Sequence, residues 1–177
     1  TFHSSVICPA EHTCVVDDAV YDDVVAEFER MGARLLTEDE TDRLAGATMT
    51  DDGTMELAAL GRSCVDLASL ADIPADARDK VLLAALPSDL GDLAEHPFIA
   101  EKLMPVLGLV RSPSVRHGID ACVLVTEHDG LGHTSAVYAR DDDVVDRFAQ
   151  AVRTGRILVN APTAVGALGG VYNSMTP

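Results

Sequence analysis

The stretch Val81-Leu82-Leu83-Ala84-Ala85-Leu86 is a continuous apolar run that ends at Pro87. A run of this kind is typical of a strand that is buried on both faces, as in a parallel sheet covered by helices. Residues 106–110 form a second such run, and residues 156–160, with Ile157-Leu158-Val159 at their centre, are predicted to be a final buried strand. Shorter strands are predicted from β-branched or alternating apolar residues at 13–16, 33–36 and 134–139.

Helical periodicity separates these strands. It is clearest at residues 19–31 and 141–152, where apolar residues recur at the spacing of one helix face. Another helix is predicted after Thr37, because Thr37 and Glu40 have the residue types of a capping box. Two further helices are predicted at 61–70 and 112–128.

Strands therefore alternate with helices of about ten to fifteen residues. This order predicts an α/β fold with a largely parallel sheet flanked by helices. A length of 177 residues suits one such domain. From Ala161 to Pro177 the chain is rich in small residues, Gly and Pro without a period, which favours a loop.

Cys8 is the most prominent candidate for chemistry. The residues Pro9-Ala10-Glu11 follow it, and they are of types that can open a helix. A thiol at a helix N-terminus is stabilised as the thiolate, which is the nucleophilic form. Many free cysteines are instead small buried hydrophobes. On these residues alone both interpretations stay open.

The composition limits the partners. The net charge is −16, from 29 acidic and 13 basic side chains, so we expect neither nucleic acid nor an anionic membrane surface as a partner. No apolar run approaches the length of a membrane helix, and no signal peptide is recognised. The four cysteines form no C-x-x-C pair, which favours a reduced, cytoplasmic setting.

A zinc site is a weaker interpretation of the first residues. Cys8, His12 and Cys14 are close in sequence, and His3 is the only nearby candidate for a fourth ligand. Structural zinc sites need four ligands and usually include a C-x-x-C pair. We therefore predict no metal site.

Four stretches, taken in order, resemble one family. They are VICPAEH at 6–12, EKLMPVL at 101–107, GHTSAVY at 132–138 and RILVNAP at 156–162. In this order and spacing they are similar to the catalytic domain of CoA-acylating aldehyde dehydrogenases, in particular to the aldehyde dehydrogenase half of bifunctional aldehyde-alcohol dehydrogenases. The resemblance covers essentially the whole chain and implies a catalytic domain of the aldehyde dehydrogenase type.

The resemblance implies a reaction and its cofactors. The cysteine thiolate attacks a small aldehyde, NAD accepts a hydride, and coenzyme A releases the resulting thioester as acyl-CoA, in a sequence that also runs in reverse. By resemblance Cys8 is the nucleophile. The implied protein is a cytoplasmic enzyme with a small aldehyde or acyl-CoA as substrate, and it forms a homo-oligomer.

The resemblance also assigns roles to other residues. Glu101 and Pro105 match an E-x-x-x-P motif whose glutamate hydrogen-bonds the nicotinamide ribose, although a Glu is more often only an exposed charge. His133 matches a histidine in the Gly-His-Thr stretch of the acylating enzymes. A histidine there could move a proton or contact CoA, and it could equally be a half-buried structural residue at the start of a strand. For Asn160 and Pro162 structural support is the expected role.

Two departures from the family remain. His12 stands where family members often carry Gln, and the dinucleotide-binding domain that precedes the cysteine in the family is not in this chain. We therefore expect residues 1–177 to be a fragment, the thiol domain alone, that is inactive by itself. The alternatives are a domain of a hydrolytic aldehyde dehydrogenase and a non-catalytic α/β assembly module.

Overall fold

The computed structural model of the protein describes residues 5–6 and 10–167. Its strands are β1 Thr13–Asp17, β2 Ala33–Leu35, β3 Val81–Leu86, β4 Val106–Ser112, β5 Thr134–Val137 and β6 Arg156–Val159. Its α-helices are α1 Tyr21–Arg30, α2 Glu38–Thr48, α3 Cys64–Leu70, α4 Leu90–Glu95, α5 Val115–Val125, α6 Asp142–Ala151 and α7 Thr163–Ala167.

A four-stranded sheet forms the centre of the fold. Its order is β1-β4-β3-β2, and every pairing is parallel. Strands β5 and β6 form a separate two-stranded parallel sheet. The prediction of a largely parallel sheet flanked by helices is confirmed.

The two faces of the main sheet are covered by different helices. On one face, alternate residues of β3 and β4 pack into a large cluster with residues of α2, α3, α4 and α5. On the other face, α1 contributes Val25 to a smaller cluster with Val16 and Leu109. The central strands are thus buried on both sides, which explains their unbroken apolar sequences.

The prediction of a helix that starts after Cys8 is wrong. Ala10, Glu11 and His12 are not helical, and β1 begins directly after them at Thr13. The carbonyl of His12 already accepts the N–H of Gly108 from β4, so sheet pairing leaves too few residues for a helical turn. The helix-dipole argument for a Cys8 thiolate is therefore lost, and Cys8 itself lies outside the described residues.

Two other expectations at the end of the chain need correction. The sequence predicts a loop at 161–167, but α7 forms there, and the Glu11 carboxylate accepts the N–H of Thr163 at 3.2 Å. The strand predicted at 156–160 is β6, and it is not fully buried: Val159 is 47% exposed. Its pairing with β5 alone leaves it near the surface. Residues 168–177 lie outside the described residues.

Candidate active site

Polar side chains from three segments gather at the edge of the main sheet where the parallel strands begin. His12 directly precedes β1, Glu101 and Lys102 lie just before β4, and Asp129 follows α5, which runs back to this edge. The Lys102 N–H donates to Nδ1 of His12 at 3.3 Å, and the Glu101 N–H donates to Oδ2 of Asp129 at 3.0 Å. Two backbone–side-chain hydrogen bonds therefore join these three segments.

Glu101 lies at the lip of a cleft of about 240 Å³. The cleft is lined by Gly53, Thr54, Met55, Ala100, Glu101, Leu103 and Asp129. The Glu101 side chain is 46% exposed, while its backbone N–H is held by Asp129. A carboxylate in this position can accept hydrogen bonds from hydroxyl groups of a ligand in the cleft.

Pro105, the other residue of the E-x-x-x-P motif, is buried at the start of β4. Its carbonyl accepts the N–H of Leu82 at 3.0 Å, which ties the segment to β3. The side chain presents no surface to the cleft, so its contribution is to fix where β4 begins and hence where Glu101 stands.

Lys102 is a feature that the sequence analysis missed. Its side chain is fully buried, and Nζ donates to the carbonyls of Phe98 and, at 3.1 Å, of Ala100. Burial lowers its pKa from 10.5 to about 7, because the ammonium ion has lost its water. The only indication of this burial in the sequence is that Lys102 lies between the apolar stretches 97–100 and 103–110.

His12 is a neutral imidazole at ordinary pH. Burial, and next the nearby charge of Lys102, lower its pKa to about 4. Because Nδ1 accepts the Lys102 N–H, the single ring proton belongs on Nε2. Nε2 is buried without a hydrogen-bond partner among the described residues, and it lies 3.9 Å from Oε1 of Glu101.

His133 stands exposed immediately before β5. Its backbone is fixed on both sides: the N–H donates to Gly130, and the carbonyl accepts the N–H groups of Gly155 and Arg156. Gly130 directly follows Asp129, whose side chain accepts the Glu101 N–H at 3.0 Å. The structure therefore brings His133 to the same edge of the sheet as Glu101.

The remaining described thiols are poor nucleophiles. Burial raises the pKa of Cys14 and of Cys64 to about 11 and that of Cys122 to about 12. All three are free cysteines. Within the described ranges, no group of three or more His, Cys, Asp or Glu side chains could hold a metal ion, and Cys8 and His3 fall outside those ranges.

Asn160 ties β5 to β6 just beyond their ends. Its side-chain oxygen accepts the N–H of Ala139 at 3.1 Å, and its side-chain nitrogen donates to the carbonyl of Ala139 at 3.0 Å. Asn160 has a φ of 52°, a left-handed conformation that Asn tolerates better than most residues. These contacts give Asn160 a structural role.

Comparisons with known proteins connect this arrangement to a family. No family model matches the chain. The aldehyde-alcohol dehydrogenase of Clostridium acetobutylicum is 33% identical over 180 residues, which cover 100% of this chain and 20% of that protein. The chain is homologous to the acetylating aldehyde dehydrogenases. It spans about a fifth of the length of the curated relatives it matches.

Solved structures of acetylating aldehyde dehydrogenases and related enzymes share the fold. The acetylating aldehyde dehydrogenase of Geobacillus thermoglucosidasius is 30% identical with a TM-score of 0.87, and the match covers 96% of this chain and 37% of that one. A propionaldehyde dehydrogenase from Rhodopseudomonas palustris with bound CoA and an acylated cysteine is 28% identical (TM-score 0.81; 95% and 37% covered). An engineered glycolyl-CoA reductase with bound NADP⁺ is 27% identical (TM-score 0.84; 98% and 38% covered).

The aldehyde dehydrogenase homology agrees with the family resemblance found in the sequence, and the fold agrees with the predicted class. Among the helices of the described residues, none has the length and apolar character to span a membrane.

Proposed function

We propose that residues 1–177 form the thiol-bearing catalytic domain of a CoA-acylating aldehyde dehydrogenase. The observation that carries the proposal is the gathering of Glu101, His12 and His133 at one edge of the sheet, beside a cleft, in a chain homologous to enzymes of this type. The acylated cysteine and bound CoA of the Rhodopseudomonas structure support a covalent mechanism.

In this mechanism Cys8 attacks the carbonyl carbon of a small aldehyde through its sulfur and forms a thiohemiacetal. Loss of hydride from that carbon gives a thioester on Cys8, and the thiol of CoA then displaces Cys8 to release acyl-CoA. A bound nicotinamide cofactor, which we expect to be NAD, supplies the hydride acceptor. The acyl transfer is readily reversible, because one thioester is exchanged for another.

The described residues have defined parts in this scheme. Glu101, half exposed at the lip of the cleft, accepts hydrogen bonds from hydroxyl groups of the nicotinamide ribose. His133 is exposed at the same edge and takes up the proton released when a thiol or thiohemiacetal reacts. Pro105 is a positioning residue, since it fixes the end of the segment that carries Glu101.

The natural full-length protein provides the direct test. We expect it to reduce NAD⁺ with a small aldehyde only when CoA is added, and we expect Cys8→Ser to abolish this activity without unfolding the protein. Cys122→Ala, at a half-buried thiol on α5, is the matched control and should retain activity. Activity of Cys8→Ser within tenfold of wild type would contradict the proposal, and turnover without CoA would favour a hydrolytic enzyme.

We further propose that the 177-residue chain does not turn over aldehyde by itself and that its parent is a cytoplasmic homo-oligomer. Micromolar cofactor binding needs about 8 kcal/mol, whereas a single hydrogen bond donated to an exposed carboxylate such as Glu101 contributes about 1 kcal/mol. Calorimetry with NAD⁺ on the purified chain should therefore detect no tight binding. A dissociation constant in the low micromolar range would show that this assignment of the domain is wrong.

A further inference from the structure

Nε2 of His12 is buried and has no hydrogen-bond partner among the described residues. A buried N–H without an acceptor is unfavourable, and native proteins rarely leave one unpaired. Nδ1 already accepts the Lys102 N–H, so the ring cannot flip by 180° without losing that hydrogen bond. The Nε2–H donor therefore points in a fixed direction.

The burial of Nε2 decides which group can use this donor. A ligand in the cleft has no access to Nε2, because the atom itself is buried. The carboxylate of Glu101 has access, since its Oε1 is 3.9 Å away and its side chain is half exposed. An ordinary hydrogen bond needs the two atoms to approach by only about 1 Å, a movement that the flexible side chain of a Glu can make.

We propose that His12 is a positioning residue for Glu101, whose carboxylate accepts the Nε2–H and is thereby held at the lip of the cleft to receive hydroxyl groups of a ligand. The nature of that ligand, a nicotinamide ribose, rests on the proposed function. The pairing of His12 with Glu101 rests only on the contacts described above.

A neutral donor suits this role. Burial lowers the pKa of His12 to about 4, so the ring stays neutral well below pH 7. A neutral N–H orients one carboxylate oxygen and leaves the negative charge of Glu101 available to ligand hydroxyls. An oriented carboxylate also loses less rotamer freedom when the ligand binds.

Two amide substitutions distinguish the hydrogen bond made by Nδ1 from the one made by Nε2. The side-chain oxygen of His12→Asn can replace Nδ1 and keep the bond from Lys102, but the side chain is too short to reach Glu101. The longer His12→Gln places its amide nitrogen near the position of Nε2 and keeps the donor to Glu101, while the acceptor for Lys102 is lost.

In the natural full-length protein, we expect His12→Asn to raise the KM for the nicotinamide cofactor about tenfold, which corresponds to about 1.4 kcal/mol, with a smaller change in kcat. His12→Gln should raise it by less than about threefold, which corresponds to about 0.65 kcal/mol. If His12 only anchors the backbone through Lys102, the order of the two variants is reversed, and that result would overturn the proposal.

A second measurement does not depend on activity. In the ¹⁵N-labelled 177-residue chain, which has six histidines, His12 is assigned by the signal lost in His12→Asn. We expect an unprotonated Nδ1, a protonated Nε2 and a shift of the Nε2 signal in Glu101→Gln. A protonated Nδ1, or an Nε2 signal whose chemical shift is the same in Glu101→Gln and in wild type, would refute the pairing. If the wild-type protein shows no nicotinamide-dependent activity, the proposed function fails, and this spectrum still decides the pairing.

Discussion

Lys102 should make the stability of the protein depend on pH near neutrality. In the unfolded chain its pKa is 10.5, and burial lowers the pKa in the folded protein to about 7. Between these values the unfolded chain binds a proton that the folded protein lacks. The free energy of unfolding therefore rises as the pH rises through this window, and the gain is lost as the pH falls to 7.

The size of the effect follows from the two pKa values. Between about pH 6.5 and 8.5 the difference in bound protons grows from about 0.2 to nearly 1, which predicts a rise in the free energy of unfolding of about 2 kcal/mol. The buried thiols oppose this rise only at higher pH, because their raised pKa values cost stability mainly above the unfolded value of 9.0.

Urea unfolding at about pH 6.5, 7.5 and 8.5 measures this dependence. The chain has two lysines, so Lys80→Met, at an exposed site, is the matched control for Lys102→Met. We expect the full rise in wild type and in Lys80→Met, and in Lys102→Met we expect only the remainder of about 0.4 kcal/mol that comes from the lowered pKa of His12. Equal slopes in all three proteins would refute the reasoning. If Lys102→Met does not fold, the NMR titration of the two lysine Cε signals in the wild type gives the pKa of Lys102 directly.

Two further predictions concern the thiols and the β5–β6 sheet. At about pH 8 a buried thiol with a pKa of about 11 is only about 0.1% thiolate. Iodoacetamide should therefore label Cys8 at least about a hundredfold faster than the three other cysteines. If peptide mapping finds that Cys8 is labelled most slowly, Cys8 is not the nucleophile. Asn160→Ala loses both hydrogen bonds to Ala139 and leaves an alanine in a left-handed conformation, so it should cost about 2–3 kcal/mol of unfolding free energy. Asn160→Gly relieves the backbone strain and should lower the free energy of unfolding by less. If Asn160→Ala is as stable in urea as the wild-type protein, the hydrogen bonds of Asn160 do not stabilise the β5–β6 sheet.

Much of the fold could be predicted because its signals are local. The apolar runs that became β3 and β4 are buried on both faces, as their sequences indicate. The capping box at Thr37 is present, with the Glu40 N–H donating to the Thr37 hydroxyl and the Thr37 N–H donating to the Glu40 carboxylate. Such bonds span three residues, so residue types alone reveal them.

The errors come from contacts between distant parts of the chain. The helix expected after Cys8 gave way to pairing between His12 and Gly108, which lie almost a hundred residues apart in sequence. At the first turn of α7 the N–H of Thr163 donates to the carboxylate of Glu11, and no local pattern near Thr163 indicated this contact. Long-range pairing of this kind overrides local propensity.

The candidate site shows the same division. Glu101 and His133 were found through motifs that resemble a family, and the structure brings both to one edge of the sheet. The burial of Lys102 and the partnership of Asp129 with Glu101 depend on how separate segments pack, so the sequence alone did not indicate them.

Acylation of Cys8 tests the central claim most directly. The natural full-length protein is mixed with propionyl-CoA in the absence of a nicotinamide cofactor, and peptides are mapped by mass spectrometry. The account predicts transfer of one propionyl group from the CoA sulfur to the sulfur of Cys8, with release of free CoA and no transfer in Cys8→Ser. A protein that stays unmodified, or that carries the propionyl group on another cysteine, would contradict it.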